Sequence, residues 1–359
     1  MNLDDYRATR NLAAATTIPS RWYTNPEFFE FERSRVFWAT WQPVGHSADV
    51  ANPGQYFSCE IAGEPVVVVR GKDGGVRAFA NVCRHRAAAL VSEPGCANVL
   101  KCPYHGWTYQ LDGRLLGAPE IDGIENWKRE DVCLPQYKVE LWGPFVFVNV
   151  DGQAPPLKEV MGTIPEEIAA LGCPVDQLCF SQRRDYVIDC NWKVYVDNYL
   201  EGYHLPTAHP GLFRELDYAE YRVDTFRWYS SQYAPIRLAA SAGEKRQFKE
   251  TSDARALYFW LYPNFMLNIY PDNLSSNIIV PIGPNKTLTI FEWFGYGASA
   301  AVKDSTIAFS DEIQQEDILI CEAVQKGLAS RTYETGRFSP KRENGVHHFH
   351  LLLNEGLRK

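Results

Sequence analysis

The sequence lacks any long apolar run, because no stretch approaches the roughly 18 consecutive apolar residues of a membrane-spanning helix. Its start, from Met1 to Tyr6, has neither the basic residues nor the apolar stretch of a secretory signal peptide. We therefore expect a protein that neither spans a membrane nor is secreted, and we predict a cytoplasmic location.

Basic residues are also too few for a nucleic-acid-binding surface. The chain has 36 Lys and Arg against 44 Asp and Glu, which gives a net charge of −8 at pH 7. Because phosphate contacts need an excess of positive charge, we expect no nucleic-acid partner. Apolar residues make up 45% of the 359 residues, which is ample for buried cores, and this length predicts two domains.

The nine cysteines do not indicate a disulfide framework, because their number is odd and they are scattered along a long chain. We predict that seven of them are small buried hydrophobic residues. These seven are Cys59, Cys96, Cys133, Cys173, Cys179, Cys190 and Cys321.

The other two cysteines belong to short segments that each pair a thiolate with an imidazole, Cys83-Arg-His85 and Cys102-Pro-Tyr-His105. A [2Fe–2S] centre of the Rieske type needs two cysteines on one iron and two histidines on the other. A structural zinc ion could also use this set, but zinc fingers usually keep their cysteines and histidines in separate pairs. The sequence therefore predicts a Rieske cluster bound by these four residues.

The segment around the two loops has the pattern of a small β-domain. Val66–Val69 is a continuous apolar run, Lys72–Gly75 is typical of a hairpin turn, and residues 76–82 predict the return strand. Residues 144–150 predict a further strand. Ligands on loops between strands would lie near the surface, where an electron can reach the cluster.

We predict an α+β chain in which the Rieske β-domain, residues 41–152, is inserted in or followed by an α+β catalytic domain. The catalytic domain would span residues 153–359 and combine an antiparallel sheet with helices. Residues 1–40 are predicted to be helical at their end, from Pro26 behind an Asn25 N-cap, and to pack with the catalytic domain.

A second group of metal-ligand residue types lies between Asp197 and His209. If this segment begins as a helix, Asp197, Glu201 and His204 share one face at i, i+4 and i+7. Pro206 would then break the helix and allow the chain to swing His209 back towards His204. Two histidines and one carboxylate form the facial triad of non-haem iron(II), which leaves positions open for dioxygen and substrate.

The third iron ligand is predicted on a helix near the C-terminus, over residues 310–327. Asp317 falls within the apolar stripe of this helix, where a carboxylate is costly unless it is paired or bound to metal. Glu312 and Glu316 fall on a different, more solvated arc. The alternatives are a pair of hydrogen-bonded core histidines and a buried salt bridge at Asp317. The stripe consists of Ile313, Ile320, Cys321 and Val324.

These motifs make the sequence similar to the catalytic α subunits of Rieske non-haem iron oxygenases over nearly its whole length. The resemblance is also carried by Asn191-Trp-Lys, by the N-x-x-E-x-Y-H-x4-H pattern that ends at His209, and by E-D-I-x-x-x-E-x-V-Q-x-G-L from Glu316. It implies a [2Fe–2S] cluster that receives electrons from an NAD(P)H-dependent reductase, directly or through a ferredoxin. It further implies transfer to the mononuclear Fe(II) of a neighbouring subunit, in an α3 homotrimer.

The resemblance also assigns a catalytic role to the carboxylate three residues before the first iron histidine, which is Glu201 here. In the family this carboxylate bridges a histidine of each metal site. Many ring-hydroxylating members have Asp at this position, and Glu resembles the branch that oxidises carnitine, betaines and choline. Asp197 is the alternative bridge.

The implied reaction is reductive activation of O2 followed by hydroxylation of a small organic substrate. We favour a quaternary ammonium or N-methyl compound, with monooxygenation that ends in demethylation or alcohol oxidation; the alternative is hydroxylation or cis-dihydroxylation of an aromatic compound such as an aromatic acid. Arg227 and Arg237 are candidate partners for a substrate carboxylate. Core packing competes with a cation–π cage as the role of six aromatic residues. These are Tyr203, Trp228, Tyr229, Tyr258, Trp260 and Tyr270.

Two other protein classes remain as alternatives. A Rieske electron carrier would need only about the length of residues 41–152, so the further residues and the second ligand set argue against it. A zinc hydrolase would use His204, His209 and Asp317, and iron analysis with a Rieske visible or EPR spectrum would distinguish it. The histidines at 347, 348 and 350 are predicted to lie on a terminal helix that packs one of them inward and leaves the others in solvent.

Overall fold

The chain folds into two compact units. The continuous segment Phe37–Leu157 forms one unit, here called the inserted unit, and Met1–Val36 together with Lys158–Lys359 forms the other, here called the outer unit. The predicted α+β class is confirmed, because the inserted unit is dominated by strands and the outer unit combines an antiparallel sheet with helices. The computed structural model describes residues 2–237, 255–296 and 301–359.

Ten strands build the inserted unit. They are β1 (Gln42–His46), β2 (Gln55–Ile61), β3 (Glu64–Arg70), β4 (Val76–Ala80), β5 (Gly95–Cys96), β6 (Leu100–Lys101), β7 (Thr108–Tyr109), β8 (Leu115–Gly117), β9 (Gln136–Trp142) and β10 (Phe145–Asn149). Seven of them form an antiparallel sheet in the order β1-β10-β9-β4-β3-β2-β5, and the other three form the sheet β6-β7-β8.

The hairpin predicted around residues 66–82 is confirmed. β3 and β4 pair antiparallel with Arg70 opposite Val76, and Gly74 adopts a φ of +82° in the turn between them. The side chains of Val66–Val69 are fully buried, as their continuous apolar run predicts for a central strand.

The outer unit contains a seven-stranded antiparallel sheet. Its strands are β11 (Cys179–Ile188), β12 (Arg222–Thr225), β13 (Tyr229–Pro235), β14 (Arg255–Leu261), β15 (Phe265–Tyr270), β16 (Asn273–Gly283) and β17 (Lys286–Gly295). Their order is β11-β17-β16-β15-β14-β13-β12, so every strand from β12 to β17 pairs with its neighbour in sequence.

Helices flank this sheet. They are α1 (Arg21–Thr24), α2 (Pro26–Glu32), α3 (Leu157–Met161), α4 (Ile164–Ala170), α5 (Trp192–Tyr199), α6 (Leu205–Ala208), α7 (Pro210–Glu215), α8 (Asp304–Leu328) and α9 (Asn344–Leu357). The predicted Asn25 cap is confirmed, since its side chain accepts a hydrogen bond from the Glu27 N–H at 2.9 Å. Among the described helices, none combines the length and the apolar composition needed to cross a bilayer.

A buried ion pair ties α2 to α5. Lys193 Nζ lies 2.6 Å from Glu32 Oε1, and both side chains are fully buried. Trp192 Nε1 donates to the other oxygen of Glu32 at 2.8 Å. Burial lowers the pKa of Lys193 and raises that of Glu32, while the charge of each partner opposes both shifts. The pair anchors the N-terminal segment to the helix that leads into the second ligand group.

Two expectations about burial were wrong. Cys96 and Cys179 are exposed because they lie on the edge strands β5 and β11. Cys133, outside the strands, is also exposed, and Cys59 is half-buried. On α9, two histidines are buried rather than one. The apolar face of this helix is wide enough to cover both His347 and His350.

Candidate functional site

The two Cys/His loops of the inserted unit are closed turns. The Cys83 N–H donates to the Ala88 carbonyl at 2.8 Å, and the Cys102 N–H donates to the Trp107 carbonyl at 2.7 Å. Gly106 adopts a φ of +74° in the second turn, a conformation that glycine takes without steric cost. Both loops therefore have a fixed backbone that holds the cysteine and presents the histidine.

The structure brings the four predicted cluster ligands into one place. Cys83 and Cys102 are buried in a shared apolar cluster, whereas His85 and His105 are exposed with ring centroids 4.6 Å apart. His85 also stacks on Trp107, with the ring planes 4° from parallel. Two thiols face the interior and two imidazoles face solvent, which is the division of ligands that a Rieske cluster needs.

A tyrosine supports the first loop. The Tyr109 hydroxyl lies 3.4 Å from Cys83 Sγ and accepts a hydrogen bond from the Arg84 N–H at 2.9 Å. Burial and the contact with Cys83 raise the pKa of Tyr109, so its hydroxyl stays protonated and can donate to a thiolate. Tyr109 was not among the predicted site residues, although it follows the second loop directly in sequence.

The surface around the two imidazoles is basic. Arg84, Arg86 and Lys101 are all exposed beside the histidines. Desolvation lowers the pKa of His105, and the charges of His85 and Arg86 act in the same direction. The ring is thereby favoured in the neutral form, which is the form that binds metal.

The predicted helix through Glu201 and His204 was wrong, because α5 ends at Tyr199. The Glu201 carboxylate accepts hydrogen bonds from the N–H groups of Tyr203 and His204, and these amides therefore do not need helical partners. Pro206 does not end α5 but lies in the first turn of α6, where its missing N–H costs nothing.

The turn after α5 also depends on a close approach. A Cβ on Gly202 would lie 2.6 Å from the Tyr221 ring, so a side chain at this position would displace the ring. The short helix α6 follows, and α7 begins at Pro210, immediately after His209. Two breaks in the chain, rather than one, place His204 and His209 beside each other, with ring centroids 4.9 Å apart.

The third predicted ligand comes from the middle of α8. This helix is longer than predicted, and Val324, assigned to its apolar stripe, is 44% exposed. The Asp317 side chain is 13% exposed and the Glu316 side chain 33% exposed. Asp317 is thus the more buried of the two adjacent acids, as the sequence pattern indicates.

His204, His209 and Asp317 together form a candidate metal site, since each offers a ligand atom within 4.8 Å of the others. Asp317 Oδ1 lies 3.0 Å from His209 Nε2. The Asn198 side chain donates to the same oxygen at 2.6 Å and orients the carboxylate. Two imidazoles and one carboxylate match the facial triad.

Each of the two imidazoles has a further carboxylate on its Nδ1 atom. Glu201 Oε1 lies 2.5 Å from His204 Nδ1, and Glu316 Oε2 lies 2.6 Å from His209 Nδ1. Both contacts occupy Nδ1 and leave Nε2 available to a metal, and His209 Nε2 lies beside Asp317. Glu316 was missed because it was assigned to a solvated arc; its position directly before Asp317 was the available signal.

The carboxylates affect the protonation of His209. Burial lowers the pKa of this residue, but the hydrogen bonds and charges of Asp317 and Glu316 outweigh burial and raise the pKa above its ordinary value. A metal ion that binds at Nε2 would therefore displace a proton at mildly acidic pH.

Asp197 has different partners from Glu201. Its carboxylate accepts a hydrogen bond from Tyr23 at 2.6 Å and lies 3.0 Å from His350 Nε2. The Ile18 N–H donates to His350 Nδ1 at 3.3 Å, so Nε2 carries the ring proton and donates to Asp197. The structure therefore brings Glu201, and not Asp197, to an imidazole of the candidate metal site.

The candidate metal site lines a cavity in the outer unit. Its described lining contains the carboxylates of Glu201 and Asp317 but no Lys or Arg. Aromatic lining residues include Tyr195, Tyr199, Tyr221, Tyr258, Tyr270 and Trp293. Carboxamide lining residues are Asn198, Gln232, Asn268, Asn273, Asn277 and Gln314.

The aromatic residues singled out in the sequence coincide only partly with this lining. Tyr258 and Tyr270 line the cavity, with their hydroxyls 2.8 Å apart. The other four do not. Trp260 is fully buried in the core and Tyr203 is 56% exposed. Trp228 lies under the Arg227 guanidinium and Tyr229 stacks on Phe226.

The two arginines proposed as partners of a substrate carboxylate are paired elsewhere. Arg227 lies 2.5 Å from Glu355, and Arg237 lies 3.4 Å from Asp217. Neither belongs to the described lining of the cavity.

Comparison with protein families agrees with this division of the chain. Residues 40–128 match the Rieske [2Fe-2S] domain, and residues 175–358 match the ring hydroxylating alpha subunit catalytic domain. The second match covers about half of the chain and contains the candidate metal site.

Two relatives are similar over nearly the whole chain. The chloroplastic choline monooxygenase of Arabidopsis thaliana is 37% identical, over 97% of this chain and 84% of its own length. The carnitine monooxygenase oxygenase subunit of Escherichia coli K12 is 35% identical, over 96% of this chain and 94% of its own length.

Solved structures give the same result. A quaternary ammonium Rieske monooxygenase superposes with a TM-score of 0.85 at 31% identity, over 96% of both chains. Naphthalene 1,2-dioxygenase from Rhodococcus superposes with a TM-score of 0.73 at 19% identity, which shows a common fold. The two ligand sets, the two domain matches and the full-length relatives together show that the chain belongs to the Rieske non-haem iron oxygenases, as an α-type subunit with a Rieske domain and a catalytic domain.

Proposed function

We propose that the protein is a monooxygenase that binds a Rieske cluster at Cys83, His85, Cys102 and His105 and a mononuclear Fe(II) in its catalytic domain. The observation that supports the iron site most strongly is the convergence of three ligand atoms, from α8 and from the two breaks after α5, within 4.8 Å. Their chemistry fits Fe(II), because two neutral imidazoles and one carboxylate leave coordination positions free. When bound, the iron supplies the activation of O2.

The cavity supports a cationic substrate. Its described lining is aromatic and carboxamide-rich, with acidic residues as its charged groups. Aromatic faces attract a quaternary ammonium group, and the described lining offers no Lys or Arg to pair with an anionic substrate. With the relatives named for choline and carnitine, this chemistry favours a quaternary ammonium or N-methyl compound.

The proposed reaction inserts one oxygen atom into a C–H bond next to the substrate nitrogen or hydroxyl group. One substrate molecule, one O2, two electrons and two protons give the hydroxylated product and one water. Hydroxylation of an N-methyl group would yield a carbinolamine that releases formaldehyde, and hydroxylation at an alcohol carbon would yield an aldehyde hydrate. The two electrons would come from NAD(P)H through a separate reductase or ferredoxin.

Glu201 is the proposed link by which electrons reach the iron site. Its carboxylate holds His204 at Nδ1, and its side chain is still 12% exposed. It can therefore meet an exposed imidazole of a Rieske domain from a neighbouring subunit. Asp197 lacks this contact, since Tyr23 and His350 engage it.

Charge supports docking between subunits, and hence the proposed α3 ring. The exposed Rieske loops carry Arg84, Arg86 and Lys101. Glu201, Asp197 and Glu343 lie close together, since the charges of the first two add to burial in raising the pKa of Glu343. A heterologous contact that brings the basic Rieske loops of one subunit to these carboxylates in the next could close into a ring.

The test is a substrate panel with the purified, iron-loaded protein and a generic reductase. Choline, betaine and carnitine, together with simple aromatic acids, would be scored for NADH-dependent product, formaldehyde and incorporation of one ¹⁸O atom from ¹⁸O2. We expect turnover of a quaternary ammonium compound and none in the Asp317→Ala variant. Turnover of the arenes alone would replace the substrate proposal, and zinc without acid-labile sulfide would overturn the enzyme proposal.

A further inference from the structure

Both ring nitrogens of His209 are engaged by consecutive residues of one helix. Glu316 Oε2 lies 2.6 Å from Nδ1, and Asp317 Oδ1 lies 3.0 Å from Nε2. Successive residues of an α-helix diverge by about 100° around its axis. Two adjacent carboxylates can reach opposite edges of one ring only when the ring lies against that turn of the helix, as His209 does here.

His209, Glu316 and Asp317 differ in their exposure to solvent. The His209 side chain is 2% exposed, whereas the Glu316 side chain is 33% exposed. Glu316 thus reaches the ring from the side that is open to solvent, and Asp317 meets it from the cavity side. The Glu316 carboxylate keeps part of its hydration while it accepts the Nδ1 proton.

We propose that Glu316 is a positioning residue for the iron ligand His209. By accepting a hydrogen bond from Nδ1–H, it favours the tautomer in which Nε2 carries the lone pair that would bind the metal. A carboxylate on the distal nitrogen also makes the imidazole a stronger donor, and loss of such a partner typically weakens metal affinity by about 10–100-fold. The inference rests on the proposed function, because it takes His209 as an iron ligand.

The carboxylates of Glu201 and Glu316, which contact the Nδ1 atoms of the two histidines, then have separate roles. Glu201 belongs to the same turn as His204 and remains 12% exposed. Glu316 belongs to α8, which also supplies the ligand Asp317. A single helix therefore contributes one iron ligand and orients a second one. We expect Glu201 to control electron transfer to the iron. We expect Glu316 to control how tightly the iron is bound and the geometry of its ligands.

The experiment compares Glu316→Ala, Glu316→Gln and Glu316→Asp in the full-length protein with its Rieske cluster assembled. Glu312→Gln is the matched control, since it removes the same charge from an exposed residue one turn earlier on α8. Release of Fe(II) to a chelator is measured, together with the EPR spectrum of the ferrous nitrosyl complex. The optical spectrum of the cluster reports on folding and on the other metal site.

We expect Glu316→Ala to weaken iron binding by about 10–100-fold and Glu316→Gln by about 10-fold, because the amide keeps an acceptor but loses the charge. Glu316→Asp should recover part of the loss. All three should alter the nitrosyl EPR signal and leave the cluster spectrum unchanged, and Glu312→Gln should match wild type.

A further variant distinguishes the proposed iron site from the proposed role of Glu316. His209→Ala should lose the mononuclear iron and keep the cluster. Full iron retention in His209→Ala would overturn the assignment of the iron site itself. Iron loss in His209→Ala with wild-type retention and EPR in both Glu316→Gln and Glu316→Ala would overturn the role of Glu316 alone. If the alanine variant fails to fold, the glutamine variant decides.

Discussion

The two ligand sets of this chain are built in opposite ways. The predicted cluster ligands lie within 23 consecutive residues, Cys83 to His105, on two closed turns with the imidazoles exposed. The predicted iron ligands are His204, His209 and the distant Asp317, and His209 is almost fully buried. The first set is a local structure that faces outward, and the second is assembled by tertiary packing around a cavity.

The two sites fix their side chains by different kinds of contact. In the cluster loops, backbone hydrogen bonds fix the cysteines and no carboxylate is described on the imidazoles of His85 and His105. In the catalytic domain, both imidazoles depend on side-chain carboxylates from Glu201 and Glu316. Exposed imidazoles suit electron transfer between proteins, whereas buried and oriented imidazoles suit a reaction that excludes bulk water.

The largest expected effect is loss of one metal site without the other. Cys102→Ser should abolish the Rieske spectrum and lower the iron content from about three atoms per chain to about one, because the cluster contains two irons. NADH-dependent turnover should vanish. Cys96→Ser, at an exposed cysteine of the same unit, is the control and should behave as wild type. Loss of all three irons in Cys102→Ser would show that the sites do not assemble independently.

The next effect concerns the buried ion pair of the outer unit. Lys193→Met should destabilise this unit by about 3–5 kcal/mol, since the Glu32 carboxylate would remain buried with only Trp192 as its described hydrogen-bond donor. The double variant Glu32→Leu with Lys193→Met should recover much of the loss. Chemical denaturation followed by tryptophan fluorescence measures both. Equal stability of the single and double variants would show that the pair does not act as a unit.

A smaller effect is expected on electron transfer. Glu201→Gln should keep both metal sites occupied but slow reoxidation of the reduced cluster in a single turnover by about 100-fold, because the carboxylate contact to His204 is lost. Asp197→Asn is the comparison, and its reoxidation rate should stay close to wild type. The reverse result, with Asp197→Asn impaired and Glu201→Gln normal, would move the bridge to Asp197.

The smallest effect is the discrimination between a cation and its neutral isostere. Choline and its tert-butyl analogue have the same shape, and a cation–π contact contributes roughly 0.5–2 kcal/mol. A cavity lined by several tyrosines and Trp293 should therefore favour choline by about tenfold. Binding to the iron-loaded protein, measured by calorimetry, checks this ratio. Equal affinities for choline and its neutral analogue would show that the aromatic lining does not recognise the positive charge.

The same contrast explains what the sequence could predict. The pairing of cysteine with histidine in two loops, the hairpin of β3 and β4 and the strand β10 could be predicted because spacing and hydrophobic period are local signals. Asp317 was singled out by its place on an apolar stripe, and the structure places it beside the two histidines.

The end of α5 could not be predicted in the same way. The helix stops at Tyr199 because the Glu201 side chain takes two backbone N–H groups and Tyr221 packs against Gly202, and Tyr221 lies nineteen residues further along the chain. Likewise, the contact that makes Glu316 important depends on a ring 107 residues away. Of the six aromatic residues considered for a cage, only Tyr258 and Tyr270 line the cavity, because residue type alone does not tell a core ring from a cavity ring.

The division of the chain by residues Phe37–Leu157 has a consequence for the order of assembly during synthesis. The segment that forms the Rieske domain is continuous, so all of its residues are synthesised before half of the outer unit has been made. The outer unit needs residues from both ends of the chain, and the predicted iron-ligand set is complete only once α8 has been synthesised. A nascent chain would thus contain all four predicted cluster ligands while the predicted iron site still lacks Asp317.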